Sequence, residues 1–142
     1  MMGEAQTILR IAVAIIRDEA GRVLLVRKAG TRTFMQPGGK IEGGERPAAA
    51  LRRELAEELR LQVSFSDLRY VGEAEAPAAN EPDTLVHAEI FEVAQCGPIA
   101  IAAEIAGAAW VDPDRPAGIE LAPLTRDHIL PLIEQGHGMH LS

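Results

Sequence analysis

The chain has one cysteine, few aromatic residues and no long apolar run, and each shortage removes a class of explanation. Cys96 on its own forms no internal disulfide, and no Cys/His spacing marks a zinc site. Nothing around that thiol looks activating, so an idle side chain is the better reading than a nucleophile. Aromatics are 4% of the 142 residues, which leaves little stacking surface for a base. No apolar run reaches the roughly 18 residues that a membrane span needs. The opening "MMGEAQTILR" lacks the basic and apolar regions of a signal peptide, so a cytoplasmic protein with no membrane association is expected. A net charge of −7 argues against binding to nucleic-acid polymers.

What is present fits one domain. Hydrophobic residues are 47% and charged residues 25%, ordinary for a globular chain of this length. We expect a single domain over residues 1–142, with a flexible start at 1–7 and a frayed end at 136–142 that carries His137 and His140. "ILRIAVAIIRD" and "GRVLLVRK" read as strands joined by a turn, and "LRYVGEAEA" and "TLVHAEIFEVA" as two more. Between the first and second pairs, "KAGTRTFMQPGGKIEGGE" reads as a loop without regular structure. "RPAAALRRELAEELR" is a helix, with Pro47 in its first turn and Leu51, Leu55 and Leu59 on one stripe. "PIAIAAEIAGAAWV" is expected to hold a short strand, a loop and a strand ending at Trp110. "TRDHILPLIEQ" reads as a last helix with Thr125 as N-cap, Pro131 bending it and Gly136 ending it. Strands on both sides of one strong helix, closed by another, predict an α/β protein with its sheet between helices.

Two local features stand out. Arg27, Lys28, Arg32 and Lys40 form a basic stretch with no acid between them. Directly after it, Glu54, Glu57 and Glu58 crowd one face of the helix, where like charges each cost roughly 0.2–0.5 kcal/mol. A hard divalent cation would turn that repulsion into attraction, because such ions take oxygen ligands. The stretch is not a P-loop, since Ile41 follows Lys40 and the first glycine is missing, and its glycine spacing is not that of a dinucleotide fingerprint.

Pro37 to Leu61, "PGGKIEGGERPAAALRRELAEELRL", resembles the signature of the Nudix (MutT-like) hydrolases, G-x5-E-x7-R-E-U-x-E-E-x-G-U with U aliphatic. Gly39, Glu45, Arg53, Glu54, Glu57 and Glu58 match in register, and Arg60 stands where the family has glycine. The resemblance implies an α/β/α sandwich with a mixed sheet. It also implies hydrolysis of a nucleoside diphosphate linked to X, with Mg2+ or Mn2+ held by Glu54, Glu57, Glu58 and the Gly38 carbonyl. Arg53 would then orient a carboxylate, Glu57 being its partner at i+4. Lys40 would steady phosphate charge, and Gly39 and Glu45 would serve structure. The general base stays open between Glu54, Glu57 and Glu104. Arg27, Arg32 and Asn80 are candidates for touching substrate.

Substrate identity stays open as well. Thr125 falls about where some family members offer an amide to the base, which puts oxidised guanine in doubt and leaves ADP-ribose and nucleotide sugars in play. Trp110 reads as core rather than as a stacking platform, and His87 as a packed or exposed strand residue. A silent Nudix-fold sensor, or an acidic metal-binding domain, is the competing reading. The resemblance also leaves a homodimer open, because no stretch specifies an interface.

Overall fold

The two leading strands are apolar on both faces, so each must be covered from both sides. The computed structural model describes residues 6–94, 97–116 and 118–135. Cys96, Gly136, His137 and His140 lie outside the described residues. β1 (Thr7–Ile15) and β2 (Val23–Lys28) sit in two neighbouring four-stranded sheets. The first sheet has the order β4-β1-β6-β5, with β4 (Gly38–Lys40), β6 (Thr84–Val93) and β5 (Leu68–Pro77). β1 runs parallel to β6 and antiparallel to β4, and β5 pairs antiparallel with β6. The second has the order β7-β2-β3-β8, with β7 (Ile105–Val111), β3 (Thr33–Met35) and β8 (Glu120–Leu121). Both sheets are mixed, and the α/β class is as expected.

Alternation along β1 and β2 sorts the core into two layers. Ala12, Ala14, Leu24 and Val26 pack with Leu51, Leu55 and Leu59 of α1 (Pro47–Leu59). Val13, Ile15, Val23 and Leu25 pack on the opposite side with Ile129, Leu130 and Ile133. The strands are therefore sandwiched between helices. Burying each leucine of the α1 stripe stabilises the fold by about 1.5–3 kcal/mol. Trp110 is half-buried against the α1 layer, which makes it a packing residue.

Several local expectations are corrected. Residues 28–45 are not wholly irregular, since β3 and β4 lie within them. Each is three residues long and depends on pairing rather than on its own propensity. Thr7, expected in a flexible start, already belongs to β1. No short strand forms at 97–102. That segment instead runs past the end of α1, where Ala100 and Ala102 donate to the carbonyls of Leu59 and Glu58 at 2.9 Å. Carbonyls that end a helix without partners are satisfied in this way.

Thr125 is not an N-cap. It begins a π-helical turn (Thr125–Ile129) that leads into α2 (Leu130–Gln135). Pro131 has no N–H and its ring would crowd the carbonyl four residues back, so a widened turn before it suits the proline. Leu130 N–H accordingly reaches back to the Thr125 carbonyl. At the end of α1, Arg60 adopts φ 53°, ψ 37°, the left-handed conformation that the family's glycine would take. No helix among the described residues is long and apolar enough to cross a membrane.

Candidate active site

Two consecutive glycines bring the helix acids against the sheet. A Cβ on Gly38, at φ 143°, would lie 2.1 Å from the Ala12 carbonyl oxygen. A Cβ on Gly39 would lie 2.5 Å from the Glu54 carboxyl carbon. Only glycine lets β4 pair with β1 while α1 lays its carboxylates on the same spot. Glu58 is 2% exposed, and its Oε1 accepts the Gly38 N–H at 3.2 Å. Its Oε2 is buried with no hydrogen-bond partner among the described residues. Burial, helped by the nearby Glu54 charge, pushes the Glu58 carboxyl up to about 8. An acid this costly to ionise wants a cation.

Arg53 holds the acids in place, though not as its spacing predicts. Its guanidinium grips Glu45 through two hydrogen bonds of 2.9 Å. It also donates to Glu54 Oε2 at 2.9 Å and to the Lys40 carbonyl at 3.0 Å. Glu57, its i+4 partner, is looser at 3.8 Å and more than half exposed. The fork thus ties the glycine loop to the helix, and Glu57 is left free to turn. Hydrogen bonds from Arg53 and from the Glu42 N–H hold the Glu45 carboxyl down to about 2.

A cleft of about 400 Å³ opens beside this cluster. Gly38, Gly39, Lys28, Lys40, Glu104 and Asn80 line its polar part. Leu9, Ile11, Val13, Met35 and Val86 supply an apolar floor. Glu104 reaches Lys28 Nζ at 3.5 Å across the cleft wall. The floor continues into a recess closed by Gln36 and Thr125, whose hydroxyl donates to Gln36 Oε1 at 2.7 Å. Among the described residues, no aromatic side chain lines either space.

Most expected residues converge here: Gly38, Gly39, Lys40, Asn80 and Glu104 line the cleft, and Glu54 and Glu58 reach its glycine wall. Arg27 and Arg32 do not line it. The Arg27 guanidinium donates to the Thr31 carbonyl and lies along Gly107, and Arg32 is exposed. Lys28 and Gln36 are the residues that sequence reasoning missed. Lys28 ends β2 at an irregularity in its pairing with β7, and it reaches Glu104 on the cleft wall. The basic stretch that holds Lys28 was the available signal for it.

The family model described as NUDIX domain matches residues 7–133. The chain belongs to the Nudix family. The 8-oxo-dGTP diphosphatase of Haemophilus influenzae is 43% identical over 65 residues, 43% of this chain and 48% of that protein. The match therefore spans about half the length of that curated relative. A putative Nudix hydrolase family member from Chromobacterium violaceum aligns at TM-score 0.71 and 26% identity, covering 93% of this chain and 80% of that one. The MutT protein of Methanosarcina mazei Go1 shares the fold at TM-score 0.75 and 21% identity, with 94% and 97% covered. Within this Nudix chain the helix acids suit a divalent cation: the donors are carboxylate oxygens, and one buried oxygen, Glu58 Oε2, has no other partner.

Proposed function

We propose that this Nudix chain is a divalent-metal-dependent pyrophosphohydrolase that cleaves the diphosphate linkage of a nucleoside diphosphate joined to X. The observation that carries this reading is Glu58: a buried carboxylate with one unpartnered oxygen, set against the glycine wall of a cleft lined by lysines. Glu54, Glu57, Glu58 and the Gly38 carbonyl are the ligands we assign to Mg2+ or Mn2+. When bound, the cation supplies charge neutralisation on phosphate oxygens and makes an attacking water more acidic.

The chain's own groups supply the rest. Lys28 and Lys40 draw the diphosphate to the polar end of the cleft, and Arg53 keeps Glu54 and Glu45 in register with the glycine loop. Water attacks phosphorus in line, the leaving phosphate or nucleotide departs, and the water's proton passes to a carboxylate. Glu104 is our choice for that base, because it stands on the cleft wall and outside the helix cluster. Asn80 lines the cleft and is our candidate for the contact to base or ribose.

The recess suits a base held by aliphatic contacts and one polar pair rather than by stacking. The relative from Haemophilus influenzae, an 8-oxo-dGTP diphosphatase by name, supports a nucleoside triphosphate as one substrate class. ADP-ribose and nucleotide sugars belong to the same test. Phosphate-product release from NTPs, dNTPs, 8-oxo-dGTP, ADP-ribose and nucleotide sugars, with Mg2+ or Mn2+, names the class. Turnover that needs metal supports the enzyme. Silence across the panel with nucleotide binding intact supports the sensor reading.

A further inference from the structure

On β6, Ala88 and Ile90 face the α2 layer, and His87, Glu89 and Phe91 face the α1 layer. Register sets Glu73 of β5 opposite Glu89 and Glu75 opposite His87. Glu89 is opposite Ala12, which is opposite Gly39, so this patch lies two strands away from the helix acids. Val86, which lines the cleft, points the other way.

The imidazole is enclosed by carboxylates. Nε2 lies 2.6 Å from Glu73 Oε1 and 3.7 Å from Glu89 Oε2, and Nδ1 lies 3.0 Å from Glu75 Oε2. Carboxylates only accept hydrogen bonds, whereas a neutral imidazole presents one donor and one lone pair. With Nδ1–H given to Glu75, Nε2 meets two carboxylate oxygens, and these acids favour a positive charge there: either a second ring proton, whose hold they strengthen, or a metal ion in that proton's place. One Nε2 and two oxygens, all within 4.8 Å of one another, are the start of a metal shell. The supports of such a shell are also present. A ligating histidine commonly gives its other N–H to a carboxylate, and ligating carboxylates are themselves hydrogen-bonded. Glu75 does the first, and the Tyr70 hydroxyl, donating to Glu89 Oε1 at 2.8 Å, does the second. Arg10, the cation opposite His87 on β1, makes no ion pair with the patch among the described residues.

We propose that Glu73, His87 and Glu89 form a second metal site, which takes Zn2+ or a similar borderline transition ion and clips β5 to β6. One imidazole among the donors selects such an ion over Mg2+, which prefers an all-oxygen shell. The clip lies two register pairs from the end of the hairpin whose loop, 78–83, walls the cleft. Glu73 is more than half exposed, so it can shift outward from its hydrogen bond to make room for the ion.

The test is a Zn2+ titration of the full chain in excess Mg2+, followed by calorimetry and by the imidazole nitrogen resonances. We expect one Zn2+ bound at micromolar affinity, a perturbed His87 Nε2 resonance, and loss of that binding in His87→Gln. Glu75→Gln, which leaves all three ligands, should weaken it about 10–100-fold. An unperturbed His87 resonance in the wild-type chain overturns the proposal without any variant having to fold. So does a shift confined to His137 or His140, or an affinity unchanged in His87→Gln.

Discussion

Two groups of carboxylates face the same side of the first sheet, and they are built in opposite ways. The helix group of Glu54, Glu57 and Glu58 is set by the pitch of one element: Arg53 pins Glu54, Glu54 and Glu58 meet two glycines, and Glu57 stays loose. The β5–β6 group of Glu73, Glu75 and Glu89 is set by the register between two strands and pinned by His87. The first reaches a cleft with lysines beside it, and the second opens away from that cleft. Crowded acids are thus not one feature. What surrounds them decides whether they serve phosphate chemistry or cross-link strands.

The comparison can be broken at its strongest point. Glu58→Gln keeps the shape and the Gly38 contact but removes the charge, and turnover should fall about 10²–10³-fold. His87→Gln should leave turnover within about twofold of wild type. If both variants lose activity alike, the two groups are not separate devices. Gly39→Ala comes next, because its Cβ would occupy space held by the Glu54 carboxyl. Metal-stimulated turnover should drop about 10–100-fold while the thermal midpoint moves little.

Arg53 sharpens the picture through pH. It holds the Glu45 carboxyl down to about 2, from an ordinary value of 4.5. A depressed acid stabilises the fold above its unfolded value and loses that contribution as pH falls toward the folded one. Thermal midpoints should therefore decline between pH 5 and pH 2, partly through this pair, and Glu45→Gln should flatten the decline. An equal slope in both proteins would place the acid sensitivity elsewhere. The smallest effect belongs to Arg60. Its left-handed backbone costs an arginine about 1 kcal/mol, so Arg60→Gly should raise stability by up to that amount with activity unchanged.

The helix group was legible in the sequence because helical spacing is local: residues at i, i+3 and i+4 meet whatever the rest of the chain does. The leucine stripe and the four long strands were legible for the same reason. Elements set by distant partners were not. β3 has only three residues and β4 is three residues with two glycines, too little to announce themselves, and they exist through pairing with β2 and β1. Lys28 was passed over for Arg27 because facing depends on register. Thr125 looked like a cap, yet it is buried and bonded to Gln36, 89 positions away in sequence. The ring of acids about His87 follows only once β5 is laid on β6.

The most direct measurement is Mn2+ binding, read from loss of the free-ion electron paramagnetic resonance signal, in wild type, Glu58→Gln and His87→Gln. The account predicts binding in wild type and His87→Gln and at least about tenfold weaker binding in Glu58→Gln. Unchanged affinity in Glu58→Gln, or loss confined to His87→Gln, would contradict the assignment of the metal to the helix acids.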